Sequence, residues 1–425
     1  MNWLGKHKVR SGALQFAVFI AVLIALLLSG LMLYAYTFGF VKEQSTAAVE
    51  NIQLAGTAID YALAHDLPEN DTLSLPIVEK EHQTVKIFAS QWGMFQKIVA
   101  IAQHRQKLFR KVAIIGSTSD LETPALFLQE NYSPLALVGN TVIRGIACLP
   151  SQGVKPGYIA GEGYYGSQLI DGPVRQSARE LPKLDPAYKV RLLSYLKKDG
   201  DSQYFLDRSA PKTVNSFLLP TKSLVSHAPV VLEDIELIGN IIIKSDTLVR
   251  IRRTAKLRDI IIVAPNIEIE AGTSGNFQAI ASKSIVVGED CRLDYPSALA
   301  LLRNNLEPVP QQPTHAMPGQ ITVKQRTTIS GSICVFQHKD IQEFTTQLFL
   351  DKQTSLKGQV YCEGNFALEG SVTGSAYVRQ FIANKSGTVF LNHIYNGTIE
   401  NKSNPYPFGG ILFEDRKKTI LQWLF

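Results

Sequence analysis

A single uninterrupted apolar segment near the start of the chain constrains its fold more than any other feature. No charged residue lies between Arg10 and Lys42, and residues 13–41 exceed the roughly 20 apolar residues that a helix needs to cross a bilayer. Lys6 and Lys8 add to the basic charge just before the segment, which favours retention of that side in the cytoplasm. The sequence therefore predicts a single-pass cell-membrane protein whose N-terminus is cytoplasmic and whose bulk is periplasmic or extracellular.

The same helix is predicted to continue beyond the membrane. Apolar residues recur at three- and four-residue spacing after Lys42, and Pro68 ends the pattern. A cleaved signal peptide has an apolar core of only about 7–15 residues, so an uncleaved anchor is favoured. We expect three N-terminal parts, namely a basic stub at residues 1–12, a transmembrane helix at 13–41 and a helical stalk at 42–66.

Basic residues followed by Ser11-Gly12 and a long apolar stretch resemble the N-terminal helix of pilins and minor pseudopilins. The fifth position after Gly12 is Ala17, where that family usually has Glu. The resemblance implies a component of a secretion or pilus machine, processed so that the mature chain begins at Ala13. A plain membrane anchor is the alternative.

Glycine-punctuated repeats give the main fold signal in the rest of the chain. The pattern apolar-x-Gly-x-apolar is centred on Gly239, Gly331, Gly358, Gly370 and Gly397. Alternation places the glycine and its apolar flanks on one face of a strand, where a side chain would crowd the next coil. The sequence predicts a mainly β fold, with a β-helix (β-solenoid) after the N-terminal helix; a β-sandwich is the alternative.

The predicted organisation has two further parts. We expect a membrane-proximal cap at residues 67–135 and a β-solenoid at 136–425, with insertions near 185–200 and 303–319. The first insertion should contain a short helix, because Leu192 and Leu196 lie on one stripe, and the second is a proline-rich loop. Residues 411–425 are expected to close the last coil.

A glycine-rich block resembles a segment of uncharacterised single-pass bacterial envelope proteins. Its glycines are Gly139, Gly153, Gly157, Gly163 and Gly166. The glycine-punctuated strands are also distantly similar to polymer-forming β-helix scaffolds such as the bactofilins. Neither resemblance implies an enzymatic activity.

Metal and cofactor chemistry has no sequence signal. The eight histidines are dispersed and no cysteine lies within ligand spacing of another, so we expect no metal site, no cofactor and no catalytic residue. Two readings of the four cysteines stay open, either buried thiols in the solenoid core or two disulfides. These cysteines are Cys148, Cys291, Cys334 and Cys362.

Two acidic clusters carry the enzymatic alternative. If they stood on adjacent coils, they would form the paired carboxylates of a polysaccharide-acting β-helix enzyme. A solvated strand face is the preferred interpretation. The clusters are Glu233, Asp234 and Glu236, and Glu289, Asp290 and Asp294.

One group of basic residues forms a possible ligand surface. Guanidinium groups on one strand face suit the phosphates or carboxylates of envelope polymers, whereas a net charge of +6 over 425 residues gives no nucleic-acid footprint. The leading interpretation is a non-enzymatic envelope protein whose partners are the lipid bilayer and possibly envelope proteins or glycans. The basic residues are Arg250, Arg252, Arg253, Lys256 and Arg258.

Overall fold

The chain folds into a mainly β molecule that begins with one long apolar helix. The computed structural model describes residues 11–76, 83–119, 122–186, 188–197, 210–303, 319–337, 344–401, 408–414 and 416–424. The predicted mainly β class with an N-terminal helix is confirmed. Most of the predicted basic stub and nearly all of the proline-rich insertion near 303–319 lie outside the described residues.

The described residues include two helices and 29 strands. The helices are α1 (Ser11–Ala64) and α2 (Tyr188–Leu196). The first strands are β1 (Thr72–Ser74), β2 (Gln83–Trp92), β3 (Phe95–His104), β4 (Lys107–Ser119), β5 (Leu126–Leu128), β6 (Leu135–Val138), β7 (Val142–Arg144), β8 (Ala147–Leu149), β9 (Val154–Pro156), β10 (Val174–Gln176), β11 (Lys212–Asn215), β12 (Lys222–Ser226), β13 (Val230–Leu232), β14 (Glu236–Gly239) and β15 (Ile241–Ser245). The others are β16 (Leu248–Ile251), β17 (Lys256–Ile269), β18 (Ser274–Val287), β19 (Arg292–Arg303), β20 (Gln320–Val323), β21 (Thr328–Gln337), β22 (Leu348–Leu350), β23 (Ser355–Leu368), β24 (Ser371–Lys385), β25 (Thr388–Leu391), β26 (His393–Tyr395), β27 (Thr398–Glu400), β28 (Phe408–Gly410) and β29 (Lys418–Leu424).

Helix α1 has two halves in different surroundings. Every described side chain from residue 12 to residue 43 is exposed. In the second half, Ala55, Ala58 and Ile59 recur at three- and four-residue spacing and are fully buried. The sequence predicted a free-standing stalk, but this half packs on a sheet, because its small and apolar residues form one continuous face.

An antiparallel sheet carries the second half of α1. Its strands follow the order β1-β2-β3-β4-β28, and β29 also pairs with β4. Tight turns join β2 to β3 and β3 to β4, with positive φ angles at Gly93 and Arg105 that suit two-residue hairpin loops. Inward-facing Val85, Ile87 and Ile98 form a core with the buried face of α1.

The C-terminal strands complete this antiparallel sheet. Lys418 pairs with Ser117 and Leu424 with Val112, while β28 pairs with the end of β4. The sequence predicts that residues 411–425 close the last coil of a solenoid, and in the structure they join the antiparallel sheet instead. The alternating pattern indicated a strand, but it contains no information about which distant strand edge that strand would join.

Most other strands form a parallel sheet whose pairings close on themselves. Many of its strands pair with a strand further along the chain, as Leu257 does with Gly275 and Ile329 with Leu356. The buried residues of these strands form one continuous apolar core.

The order of strands in the parallel sheet differs from their order in the chain. Strand β5 pairs with β24, Leu126 opposite Ala376, and β7 pairs with β27, Ile143 opposite Ile399. The early strands β5 and β7 therefore pair with the late strands β24 and β27, and, among the described residues, β11 to β13 pair only with β14 to β16. The five-part division of the chain stays a prediction.

A column of glycines runs through three neighbouring strands. Gly331, Gly358 and Gly374 lie in register, with φ angles of 145°, 145° and 138°. A Cβ built on Gly358 would collide with the carbonyl oxygen of Gly331, so only glycine fits. The repeat pattern pointed to Gly370, but the register aligns Val372 with Leu356 and puts Gly374 in the column.

The two sheets pack face to face through a second apolar core. Trp92 and Phe95 from the antiparallel sheet share this core with Ile261 and Ile280 from the parallel sheet. The Gln278 side chain accepts a hydrogen bond from the Met94 N–H (2.6 Å) and donates one to the Trp92 carbonyl (3.1 Å). The parallel sheet is thereby fixed against the sheet that carries α1.

Helix α2 lies at this junction, where the sequence predicted a short helix. It buries Tyr188 and Leu192, and the Tyr188 hydroxyl donates to the Met94 carbonyl at 2.6 Å. Arg191 forms ion pairs of 2.8 Å with both Glu69 and Asp185. The helix therefore links the turn after α1 to the face of the parallel sheet.

Candidate functional site

The predicted basic surface is divided by a corner of the parallel sheet. Arg250 and Arg252 lie on one side of it, and Lys256 and Arg258 lie beyond it at the start of β17. Arg253 sits at the corner, where its backbone N–H donates to the Glu270 carboxylate at 2.9 Å. The five cations do not converge on one point.

Acidic side chains on the next strand neutralise the two arginines. In the register of β16 and β17, Arg250 stands opposite Glu268, and their side chains form an ion pair of 2.7 Å. Arg252 contacts Glu270 at 3.0 Å. The hydrogen bond from the Arg253 N–H, followed by that from Arg252, lowers the pKa of Glu270. The surface is a ladder of ion pairs rather than a cationic patch.

One of the two remaining cations also lies beside a carboxylate. The Arg258 Nε lies 3.5 Å from Asp259 Oδ2, whereas Glu236, which stands opposite Lys256 in the register, forms an ion pair with Lys212. The sequence did not reveal Glu268 and Glu270 as counter-charges of Arg250 and Arg252, because each glutamate lies 18 residues after its arginine in the chain. The only sequence signal for them was the alternation of acidic and apolar residues in 267–270.

The ladder borders a shallow groove of about 510 Å³. Arg250, Glu270 and Glu289 line the groove together with Lys324. Beyond it, Arg326 binds Glu289 at 2.6 Å and Asp290 at 2.8 Å. The hydrogen bond from Arg326 lowers the pKa of Asp290, which keeps that carboxyl ionised and makes it a poor general acid.

The two acidic clusters are too far apart to act as one carboxylate pair. Three successive strand pairings separate the clusters: Glu236 pairs with Lys256, Leu257 with Gly275 and Ser274 with Arg292. Three strand spacings therefore separate the clusters, roughly 14 Å at about 4.8 Å each. Glycosidase carboxylate pairs lie about 5–9.5 Å apart, so the two clusters do not meet the condition of adjacency that the enzymatic alternative set for them.

All four cysteines are free thiols. Cys334 and Cys362 are fully buried in adjacent strands, and burial raises the pKa of Cys362 to about 12. Burial also raises the pKa of Cys334. Cys334 and Cys362 are therefore buried packing residues, as in the interpretation of the cysteines as core thiols, because a protonated buried thiol is unreactive.

Within the described ranges, no three His, Cys, Asp or Glu side chains are placed to hold a metal ion. The largest uncovered apolar surface in those ranges is the first half of α1. It offers one helix long and apolar enough to cross a membrane, with exposed fractions of 61% for Leu27 and 77% for Met32. Such continuous apolar exposure is unusual on a protein surface in contact with water.

No family model and no curated protein matches the chain. Among solved structures, the chain is similar to the competence-associated pilin ComZ from Thermus thermophilus, with 12% sequence identity over 89% of this chain and 96% of that chain. The TM-score is 0.24. A TM-score of this size carries no argument about fold or function.

Proposed function

We propose that this is a membrane-anchored envelope protein, without enzymatic activity, that presents a β-solenoid to other envelope proteins or to glycans. The contrast between the two halves of α1 carries the proposal. The side chains of residues 12–43 are exposed, whereas Ala55, Ala58 and Ile59 are buried. Lipid is the environment that an exposed apolar helix of this length requires.

The solenoid part of the proposal is supported by strand pairing. Parallel strands repeat at one turn of chain, and the stacked Gly331, Gly358 and Gly374 recur at the same point of successive turns. Stacked turns of this kind give an elongated surface of repeated side chains. The ion-pair ladder of Arg250 and Arg252 would be one such surface, and its ligand role stays a proposal.

The orientation in the membrane is also part of the proposal. The basic residues Lys6, Lys8 and Arg10 favour a cytoplasmic N-terminus. The two sheets would then lie in the periplasm or outside the cell. Protease added to spheroplasts should digest the bulk of the full-length chain without lysis.

The anchor is tested by alkaline carbonate extraction of membranes. The full-length chain should stay in the pellet, and the double variant Ile24→Arg/Leu27→Arg should move to the supernatant, because each central arginine costs about 2.5–3.5 kcal/mol in a bilayer. The matched control is Val49→Arg/Ile52→Arg, whose sites are also exposed but lie in the second half of α1. It should stay in the pellet.

Two results would contradict the proposal. One is release of the unaltered full-length chain by carbonate. The other is digestion of the bulk of the chain only when protease is added from the cytosolic side.

A pseudopilin-like role is the second candidate, and the apolar helix α1 favours it. Basic residues, Ser11-Gly12 and a long apolar helix are the features that resemble pilins, and this resemblance implies a subunit of a secretion or pilus machine. Mass spectrometry of the mature N-terminus separates the two roles. A chain beginning at Ala13 supports the pseudopilin, and an intact Met1 excludes prepilin-type processing.

A further inference from the structure

The turn between β3 and β4 lies beside α1 where the helix leaves its exposed apolar half. The Arg105 Nη1 atom binds Glu43 Oε1 at 2.6 Å. Further along both elements, the Lys111 ammonium group lies beside Gly56. Strand β4 therefore runs along α1 away from the apolar half, and the β3–β4 turn lies at the end of the antiparallel sheet that is nearest to the proposed membrane.

The helix also sets the level of this turn relative to the lipid. Tyr34, Tyr36 and Phe38 suit the interface at the end of the apolar span, and Glu43 comes five residues after Phe38. Five residues of helix rise about 8 Å, and the headgroup layer on each side of a bilayer is roughly 5–8 Å thick. The turn therefore lies at the height of the lipid headgroups.

Exposed cations surround this turn. Lys42 lies on α1, and Lys107 begins β4. Lys86 and Arg110 stand in one row on either side of Ile101, and strand alternation turns that row away from α1. All four cations are exposed, and their side chains form no ion pair or hydrogen bond with the other residues that the structure describes.

The acidic side chains described beside the turn already have partners. Glu43 binds Arg105, and Glu50 accepts a hydrogen bond of 2.8 Å from the Gln83 side chain. Leu108, which follows the turn, is 48% exposed. Basic residues together with an exposed apolar side chain suit the interface of a bilayer that contains anionic lipid.

We propose that the β3–β4 turn docks on the anionic phospholipid headgroups of the membrane that holds α1. Lys107 would bind lipid phosphate, and Leu108 would reach the interface. Lys86 and Arg110 lie about 10 Å further from the turn, so they add attraction within about one Debye length. Docking would fix the antiparallel sheet against the bilayer surface. This inference rests on the proposed function, because it requires α1 to lie in a membrane.

A fluorescent label on the turn of the full-length protein in lipid nanodiscs tests the docking. Gln106→Cys takes the label in a Cys148→Ser background, since the other three cysteines are buried. Quenching by a nitroxide-headgroup lipid should be at least about threefold stronger in equal mixtures of phosphatidylglycerol and phosphatidylcholine than in phosphatidylcholine alone. About 1 M salt, with a Debye length of about 3 Å, should abolish the difference.

A label on an exposed turn of the parallel sheet, at Ser386→Cys, is the matched control. It should be quenched equally in both kinds of disc. Equal quenching of the Gln106→Cys label in both kinds of disc would overturn the docking proposal. A lipid-dependent difference that survives high salt would also overturn it, because the attraction would then not be one of charge.

Failure of the anchor has a different signature. If α1 did not enter the bilayer, the labelled protein would elute apart from both kinds of disc, and the proposed function itself would fail. Protein that elutes with both kinds of disc, but whose turn shows no preference for anionic lipid, contradicts the docking alone.

Removal of charge from the turn provides the second arm of the test. Each cation near an anionic surface contributes roughly fivefold to binding, so Lys86→Gln/Lys107→Gln/Arg110→Gln should lower the ratio of docked to undocked protein at least about tenfold. Unchanged unfolding temperatures exclude misfolding. A second triple variant removes three exposed lysines of the parallel sheet and should leave the ratio unchanged. Equal docking by the two triple variants would contradict the assignment. The control is Lys256→Gln/Lys352→Gln/Lys357→Gln.

Discussion

The antiparallel and the parallel sheet of this chain reach stability by different routes. In the antiparallel sheet, β1 to β4 follow one another both in the chain and in space, β28 and β29 join at β4, and a helix covers one face. In the parallel sheet, paired strands carry like residues in register, so that glycines stack in a column. A side chain in the first sheet is constrained by the helix above it, and one in the second by its counterparts on the paired strands.

The largest expected effect comes from the glycine column of the parallel sheet. Gly358→Ala places a Cβ against the carbonyl oxygen of Gly331 at a φ angle of 145°. We expect the free energy of unfolding to fall by at least about 3 kcal/mol, measured by urea titration of the full-length protein in micelles. Gly163→Ala, with open space around the added carbon, should change it by less than about 0.5 kcal/mol. Equal losses of stability from the two substitutions would show that the glycine column is not the cause of the destabilisation.

The helix-covered core of the antiparallel sheet gives the next largest effect. Ile59 is fully buried between α1 and the sheet, so Ile59→Ala should lower the free energy of unfolding by about 2–4 kcal/mol. Ile52 on the same helix is 46% exposed. Ile52→Ala should change stability by no more than about 0.5 kcal/mol in the same titration. A large loss from both variants would indicate that Ile52 is covered in solution.

A buried hydroxyl at a corner of the parallel sheet gives a smaller effect. Thr327 Oγ1 donates to the Gly288 carbonyl at 2.8 Å and accepts from the Cys291 N–H at 3.2 Å. Thr327→Ala leaves both backbone groups without that partner, which should lower the free energy of unfolding by about 1–3 kcal/mol. The half-buried neighbour Thr328 is the control, and Thr328→Ala should cost less than half as much. A neutral Thr327→Ala would show that the corner holds without its hydroxyl.

The smallest effect is the pH dependence of an ion pair beside the antiparallel sheet. Lys418 of β29 donates to Asp66 at 2.6 Å, and this hydrogen bond lowers the pKa of Asp66. Since the folded-state pKa is below the unfolded one, the contribution is present above the unfolded pKa and is lost as the pH falls through the folded value, below about pH 4. The carboxylate is largely exposed, so the contribution should be about 0.5 kcal/mol or less.

Comparing acid unfolding of the full-length chain with that of Asp66→Asn measures this contribution. The variant should lose the part of the pH dependence below about pH 4 and match the unaltered chain once both are fully protonated. Identical pH profiles would show that the ion pair adds nothing in solution.

The helices and the parallel sheet differ in how far the sequence predicted them. The presence of α1 and α2 followed from apolar spacing, because helical periodicity is a local property. The glycine pattern marked Gly331 and Gly358, which do belong to the glycine column, but selected Gly370 instead of Gly374. Only the register shows which glycine joins the column, since register depends on residues a turn away.

The sequence predicted which basic residues share a surface in the candidate site, but not the acidic residues that balance their charge. Arg250 and Arg252 do lie on one side of the sheet and face a groove, as their alternate spacing indicated. Their partners Glu268 and Glu270 belong to the next turn, and nothing in the local pattern shows that these positions stand opposite each other. A cluster of like charges in a parallel-stranded chain is therefore incomplete evidence for a ligand surface until the residues on the paired strand are known.

The position of β29 has a consequence for synthesis of the chain. Strand β4 is made early, yet its partner Lys418 is joined to the chain about 300 residues after Ser117. At about 5–20 residues per second, that edge waits roughly 15–60 s for its neighbour. During that interval, β4 would be an open template for wrong pairing, and a helper that shields nascent edges would improve the yield of correctly folded molecules.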